Sequence, residues 1–199
     1  MHTWNEATGN GGVGIYNSAS QNIFFGCYLD FTDLVLAVAQ YTSFSGGFFL
    51  GNAQLVFAAQ KPADAVLGVS LTDSVWYDCS LPSLAVNETQ GVWASVTDLT
   101  VSGTAFCSAA PQVGLPAATI IASGALPSPA PIDFSSVLLF PHAGISSASV
   151  ATSGCGNTVL TAAVVTTLPS LSLQVFVASA CNVTAVTVDQ SKRSTWSYK

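Results

Sequence analysis

Two stretches decide how this chain folds. The first is Gly26-Cys27-Tyr28-Leu29-Asp30-Phe31-Thr32-Asp33-Leu34-Val35-Leu36, and 21 residues on comes Gly47-Phe48-Phe49-Leu50-Gly51-Asn52-Ala53-Gln54-Leu55-Val56-Phe57. Written one above the other, Gly26 falls over Gly47, Tyr28 over Phe49, Leu29 over Leu50, Leu34 over Leu55 and Val35 over Val56. A looser third copy, Val75-Trp76-Tyr77-Asp78, stands a further 27 residues on, and Leu99-Thr100-Val101-Ser102-Gly103-Thr104-Ala105-Phe106 keeps the strand, the turn and the aromatic. No helical period survives a full window, and glycine and β-branched residues punctuate the text. Short strands repeating at such intervals predict a parallel β-helix. Successive coils stack about 4.8 Å apart. Leu29 over Leu50 and Val35 over Val56 then read as inward ladders. The competing reading is an antiparallel sandwich in which two strands resemble each other by accident.

Outward from this core the text changes. Residues 1–20 are rich in Gly, Asn and Ser and read as a loop or the edge of a larger domain. Over 109–131 the composition shifts to Pro, Ala and Ser, which predicts the exit from the coils and a linker. Strand-length runs follow at 135–140, 146–151, 158–165, 170–178 and 183–188, separated by turn residues, as in a small antiparallel sheet or sandwich. The expected organisation is terminal coils over 1–115, an antiparallel module over 116–190 and a fraying tail over 191–199. A coil buries its apolar edge only against neighbours, so the first coil calls for upstream coils of the same protein.

The 199 residues are 50% hydrophobic and only 7% charged. A spanning helix needs ~18–20 apolar residues in a row. The most apolar runs here, 34–39 and 137–140, are strand-length, so no membrane span is expected. Net charge is −6, and the only bases are Lys61, Lys192, Arg193 and Lys199. Without a basic patch to displace counterions, nucleic acid is excluded as a partner.

The five cysteines are Cys27, Cys79, Cys107, Cys155 and Cys181; there is no CxxC pair, and the histidines are His2 and His142 alone. Zinc-ligand spacing is absent, and neither metal nor cofactor is expected. Cys155 and Cys181 flank the module's strands and are one candidate disulfide; Cys79 and Cys107 are the next. Cys27 is then left over, as a buried thiol or a partner for a segment outside the chain. The sequons Asn87-Glu88-Thr89 and Asn182-Val183-Thr184 make Asn87 and Asn182 candidate glycosylation sites. With scattered cysteines and few lysines they point to secretion. The alternative is an intracellular protein with reduced core cysteines. Residues 1–25 carry no signal-peptide pattern, so a signal would lie upstream of Met1.

The run from Gly26 to Thr32 resembles a segment of plant pectin-lyase-like proteins, the polygalacturonase-like group of the quartet type. So do Gly47 to Leu55, Ile132-Asp133-Phe134-Ser135 with Leu138-Leu139-Phe140-Pro141, and Val188-Asp189-Gln190-Ser191. The resemblance implies a right-handed parallel β-helix in a secreted, cell-wall setting. It also implies pectin or a related polysaccharide as partner, and glycoside hydrolysis as the reaction. The alternative is an extracellular structural or carbohydrate-binding protein that kept the scaffold without catalysis. An unrelated sandwich, such as a capsid or pilus subunit, is a third reading.

Inverting hydrolysis needs two carboxyl groups roughly 6.5–9.5 Å apart. None of the aspartate clusters or basic uronate-binding motifs typical of polygalacturonases is found in the sequence, so catalytic coils are expected upstream. The catalytic candidates here are Asp30, Asp33 and Asp78. Asp78 aligns with Asp30 two coils later with Gly51 between, a separation of ~9.6 Å if that register holds. The plainer reading is that these aspartates, like Asp73 and Asp98, hold turns through backbone N–H groups. Trp76, Tyr77 and Trp93 are candidates for stacking on sugar rings. In the competing reading Tyr28, Phe49, Trp76 and Phe106 form one packed aromatic ladder. His142 follows Phe140-Pro141 and reads as structural.

Overall fold

The computed structural model describes residues 2–4, 12–107, 117–121, 130–135, 137–153, 163–166, 172–176 and 182–191. Every regular element among them is a β-strand, and no helix among them is long and apolar enough to cross a membrane. The first fourteen strands are β1 (His2–Trp4), β2 (Val13–Asn17), β3 (Ile23–Phe25), β4 (Tyr28–Asp30), β5 (Asp33–Leu36), β6 (Ser43–Ser45), β7 (Phe48–Leu50), β8 (Leu55–Ala58), β9 (Asp64–Leu67), β10 (Ser70–Thr72), β11 (Val75–Tyr77), β12 (Leu84–Asn87), β13 (Trp93–Thr97) and β14 (Thr100–Ser102). They form parallel sheets in the orders β1-β4-β7-β11, β2-β5-β8-β12 and β3-β6-β10-β14, with β9 paired to β13. Each stretch therefore lies alongside an earlier one: Tyr28 with Phe48, Phe48 with Val75, and Ser70 with Thr100.

The second sheet keeps the register of the sequence repeat, with Leu34 opposite Leu55 and Val35 opposite Val56. The first sheet does not. Leu29 lies opposite Phe49, and Asp30 opposite Leu50. Burial decides this. Leu29 and Phe49 are 0% and 1% exposed, and a one-residue slip would turn Phe49 out of the core. Between the paired positions Asp30–Leu50 and Leu34–Leu55 the earlier strand pair is joined through residues 31–33 and the later through 51–54, one residue more, which restores the offset by Leu55. The aromatic ladder changes accordingly. Phe49, Trp76 and Phe106 stack inside, whereas Tyr28 stacks on Phe48 at 5.4 Å on the outer face.

Corners explain how so short a strand can end and the next begin. Every described residue with positive φ falls into one of three columns: Gln21-Tyr41-Gly68-Asp98, Gly26-Gly46-Asp73-Gly103 and Phe31-Gly51-Asp78. Backbone hydrogen bonds tie consecutive columns across layers, as from Phe31 N to Leu50 O and from Gly51 N to Tyr77 O. Glycine is required where the neighbouring corner is bulky. A Cβ on Gly51 would overlap the Phe31 ring, and positive φ penalises any side chain there. Inside these corners lie the ladders Leu34-Leu55-Leu84, Leu36-Phe57-Val86 and Phe24-Phe44-Leu71-Val101.

Six further strands are β15 (Ala117–Ile121), β16 (Ala130–Asp133), β17 (Ser147–Ser153), β18 (Ala163–Thr166), β19 (Ser172–Phe176) and β20 (Asn182–Asp189). They form two antiparallel sheets, β15-β20-β17 and β16-β19-β18. Strands β15 and β16 lie in the stretch that reads as linker. Pro131 is tolerated because β16 is an edge strand, where a missing N–H costs no ladder bond. Conversely, the described residues 135 and 137–140 form no strand. Phe134 O accepts from Val137 N and Leu138 N, and the resulting turn buries Phe134, Leu138, Leu139 and Phe140. Strands β1 and β2 likewise occupy the stretch that reads as loop. Gln190 joins the module's parts: it is 1% exposed, and its amide Nε2 donates to Phe140 O at 2.6 Å and Ala143 O at 2.8 Å. Leu99 N donates to Ser191 Oγ at 2.9 Å, and Phe57 meets Phe140 edge-on at 5.2 Å, so the module packs on the parallel sheets. The remaining tail, 192–199, lies outside the described residues.

Candidate functional site

Alternation along the second sheet sends Leu34, Leu36, Leu55 and Phe57 into the core and puts Val35 (8% exposed) and Val56 on the opposite face, against a cavity, so they are not the inward ladder that the repeat suggests. Tyr16, opposite Val35, stands 56% exposed beside them. These outer residues floor a groove made of two adjoining cavities of about 300 Å³ and about 370 Å³ that share Tyr16 and Gln60. Asp33, Asn87, Thr89 and Gln90 line the first part, and Lys61 and Asp64 the second. Asp64 builds the corner that presents Lys61: its Oδ2 accepts from Gln60 N at 2.7 Å and Lys61 N at 3.0 Å. Val92 N donates to Lys61 O, and Gly91 permits this approach because a Cβ there would overlap the Lys61 backbone. On the other rim, Glu88 accepts from Trp93 N at 2.8 Å and meets His142 Nδ1 at 2.6 Å, anchoring the loop after β12 to the module.

Of the three candidate carboxylates, Asp33 alone lines the groove. Burial pushes its carboxyl above 3.8, and the hydrogen bond from Gln54 N at 2.9 Å pulls it partly back. A raised value in the folded state means the contribution to stability is complete below the unfolded value and lost as pH rises through the folded one. Asp33→Asn keeps the acceptor for Gln54 and removes the charge. Its stability relative to wild type is therefore expected to rise between about pH 3 and about pH 6, measured by urea unfolding at each pH. A constant difference over that range would contradict this.

Asp30 and Asp78 do not form the aligned pair that the sequence suggests. Leu50 lies opposite both Asp30 and Tyr77, so Asp78 falls one position further on, at a corner with φ 56°. The extra residue after β7 that shifts Phe49 also breaks this alignment. Asp30 is half-buried at the end of β4, and its Oδ1 has no hydrogen-bond partner among the described residues. Trp76 and Trp93 offer no face to a sugar: they are 3% and 1% exposed, and their indole N–H groups donate to Ala53 O and Phe57 O. Tyr77 is 63% exposed, outside the groove. Cys79 and Cys107 form a disulfide, and Cys27 is a buried thiol. Cys155, Cys181 and the side chain of Asn182 lie outside the description. Sequence reasoning missed Tyr16, Gln60 and Lys61. The signal was there in Lys61, the only Lys or Arg before residue 192.

A larger cavity, about 710 Å³, lies between β14 and the module, lined among the described residues by the carboxylates Asp98 and Asp189 and by no cation. Among the described residues no three His, Cys, Asp or Glu side chains group as metal ligands.

No family model matches the chain, and no solved structure does. Over 79 residues it is 37% identical to polygalacturonase QRT3 of Arabidopsis thaliana. The matched stretch takes in 38% of this chain and spans 16% of that protein's length.

Proposed function

We propose that the chain is the C-terminal part of a secreted, cell-wall polygalacturonase-like protein and that its outer groove holds a pectin-type polysaccharide. The observation that carries this reading is the 79-residue similarity to a polygalacturonase. The stacked parallel register supports a β-helix, right-handed as parallel crossovers almost always are. Coils would fill 1–115, the antiparallel module 116–190 and the tail 191–199.

Tyr16 supplies an exposed ring face and Gln60, Gln90 and Asn87 supply amides, the usual means of holding a sugar ring and its hydroxyls. Charge selects the form of the glycan. A net charge of −6, with Asp33 and Asp64 beside the single Lys61, repels a polyanion. Methyl-esterified pectin therefore suits the groove better than free polygalacturonate. Asp64 and Asp133 are engaged in holding turns, and hydrolysis is assigned to coils preceding this chain.

The chain, made without glycan and with its disulfide formed, is expected to be retained on esterified pectin more than on polygalacturonate at low salt. The gap should narrow as salt screens the repulsion. Tyr16→Ala should weaken retention, and no reducing ends should appear. Absence of retention on any pectin would overturn the binding role. Reducing ends lost in Asp33→Asn would place catalysis here instead.

A further inference from the structure

We infer that Asn87 carries an N-linked glycan whose first sugar lies in the groove, so that the protein's own glycan shields it. The carboxamide is already posed for this. Asn87 Oδ1 accepts from Thr89 N at 3.0 Å and from Thr89 Oγ1 at 2.8 Å. Its amide Nδ2 makes no hydrogen bond among the described residues, and the side chain is exposed. The bonds around this sequon are specific to the loop. Glu88, the middle residue, is fixed at both carboxylate oxygens, by Trp93 N and by His142. The loop is thus held in one place, and the direction of anything attached to Asn87 is held with it.

That direction is the groove. Asn87 ends β12 directly opposite Ala58, and Ala58 and Ala59 leave open the space that a larger side chain in the neighbouring strand would fill. Val56 and Val35 continue as an apolar floor, and Tyr16 stands at the far rim. The space is about 300 Å³, at the lower end of the range of roughly 300–1,000 Å³ for small-ligand pockets. An apolar floor with one exposed ring suits the C–H face of a hexosamine, and Gln60 and Gln90 can bond its hydroxyl and acetamido groups.

In the transfer, Asn87 Nδ2 attacks C1 of the sugar of a polyprenyl-pyrophosphate-linked oligosaccharide. The N–C1 bond forms, the C1–O bond to pyrophosphate breaks, the lipid pyrophosphate leaves, and the amide proton passes to solvent. No oxidant or reductant enters. The consequence for polysaccharide rests on the binding role proposed above; the attachment and the groove contact do not.

The test uses the full chain secreted from a eukaryotic host behind a secretion leader. Mass analysis of the peptide containing Asn87 should show the glycan in wild type and in Thr89→Ser, and its loss in Thr89→Ala. Nitration of Tyr16 by tetranitromethane should be several-fold slower in the glycosylated protein than in Thr89→Ala. It should also be slower than in wild-type protein deglycosylated in the folded state, which guards against a folding defect. Tyr41 and Tyr77, exposed elsewhere, should react alike in all forms. An unmodified Asn87 in the secreted protein, or equal Tyr16 rates, overturns the inference. Pectin retention separates the two claims: weaker retention by the glycosylated form supports shielding, whereas no retention by either form overturns the binding role alone.

Discussion

Replacing Trp76 by alanine is expected to cost about 3–5 kcal/mol in urea unfolding, the range for removing a large buried aromatic. The indole is 3% exposed. It lies flat on Phe49, with centroids 4.0 Å apart and planes 7° from parallel, and Phe106 covers its other side at 5.5 Å. Alanine would leave a cavity that these two rings close only by leaving their own layers, and layers set by backbone pairing do not slide independently. It would also strand Ala53 O, which accepts the indole N–H at 3.0 Å. Trp76→Phe separates the terms. It keeps a ring in the stack and loses the hydrogen bond, so it should cost clearly less, with about 1 kcal/mol from the lost bond. Equal costs for the two variants would mean that stacking is not what the residue provides.

Cys79→Ala with Cys107→Ala is expected to cost about 3–4 kcal/mol on the chain-entropy scale for a loop of this length. The cysteines are 28 positions apart, and the intervening chain holds β12, β13 and β14. The bond therefore ties the end of the parallel sheets, after β14, back to the chain that follows β11. Its loss should be felt unevenly. Amide exchange should accelerate first in β12 to β14, while β4 to β8, each paired on both sides or backed by the core, stay protected. Uniform acceleration would show that the bond stabilises the whole stack and not its end.

Much of this architecture was legible. The match of Leu34-Val35 to Leu55-Val56 gives the true register because the two pairs lie opposite each other in paired strands. The slip at Leu29 has a physical origin. Like side chains invite alignment, but one extra residue in a corner shifts everything before it, and period-two strands turn that shift into a change of face. The corners themselves were readable only in part. Gly26, Gly46 and Gly103 announce one column, yet Phe31, Tyr41 and Asp78 adopt the same left-handed backbone without being glycine. At Phe31 and Tyr41 the backbone N–H donates to the neighbouring strand, to Leu50 O and Leu67 O, a pairing that sequence does not display. The site fared worse. Trp76 and Trp93 look like sugar platforms in the text and lie in the core, whereas Tyr16, in a stretch that reads as loop, is the exposed ring. Asp33 was visible as a carboxylate, but its place in the groove depends on which face of β5 is outward. The proline-rich run from 109 concealed two strands because an edge position accepts proline.

The in-register parallel pairing of successive strands carries everything above, and a cross-link reads it directly. In a Cys27→Ala background, cysteines replacing Ser43 and Ser70 should oxidise to a disulfide. The two residues are register partners, with hydroxyl oxygens 2.9 Å apart, and neighbouring strands lie about 4.8 Å apart, within disulfide reach. Cysteines replacing Ser43 and Thr72, two positions off register, should stay reduced under the same oxidant. Peptide mass analysis that finds the first link and not the second is the predicted result. Equal linking of both pairs, or linking of the second alone, would contradict the parallel register and with it the groove.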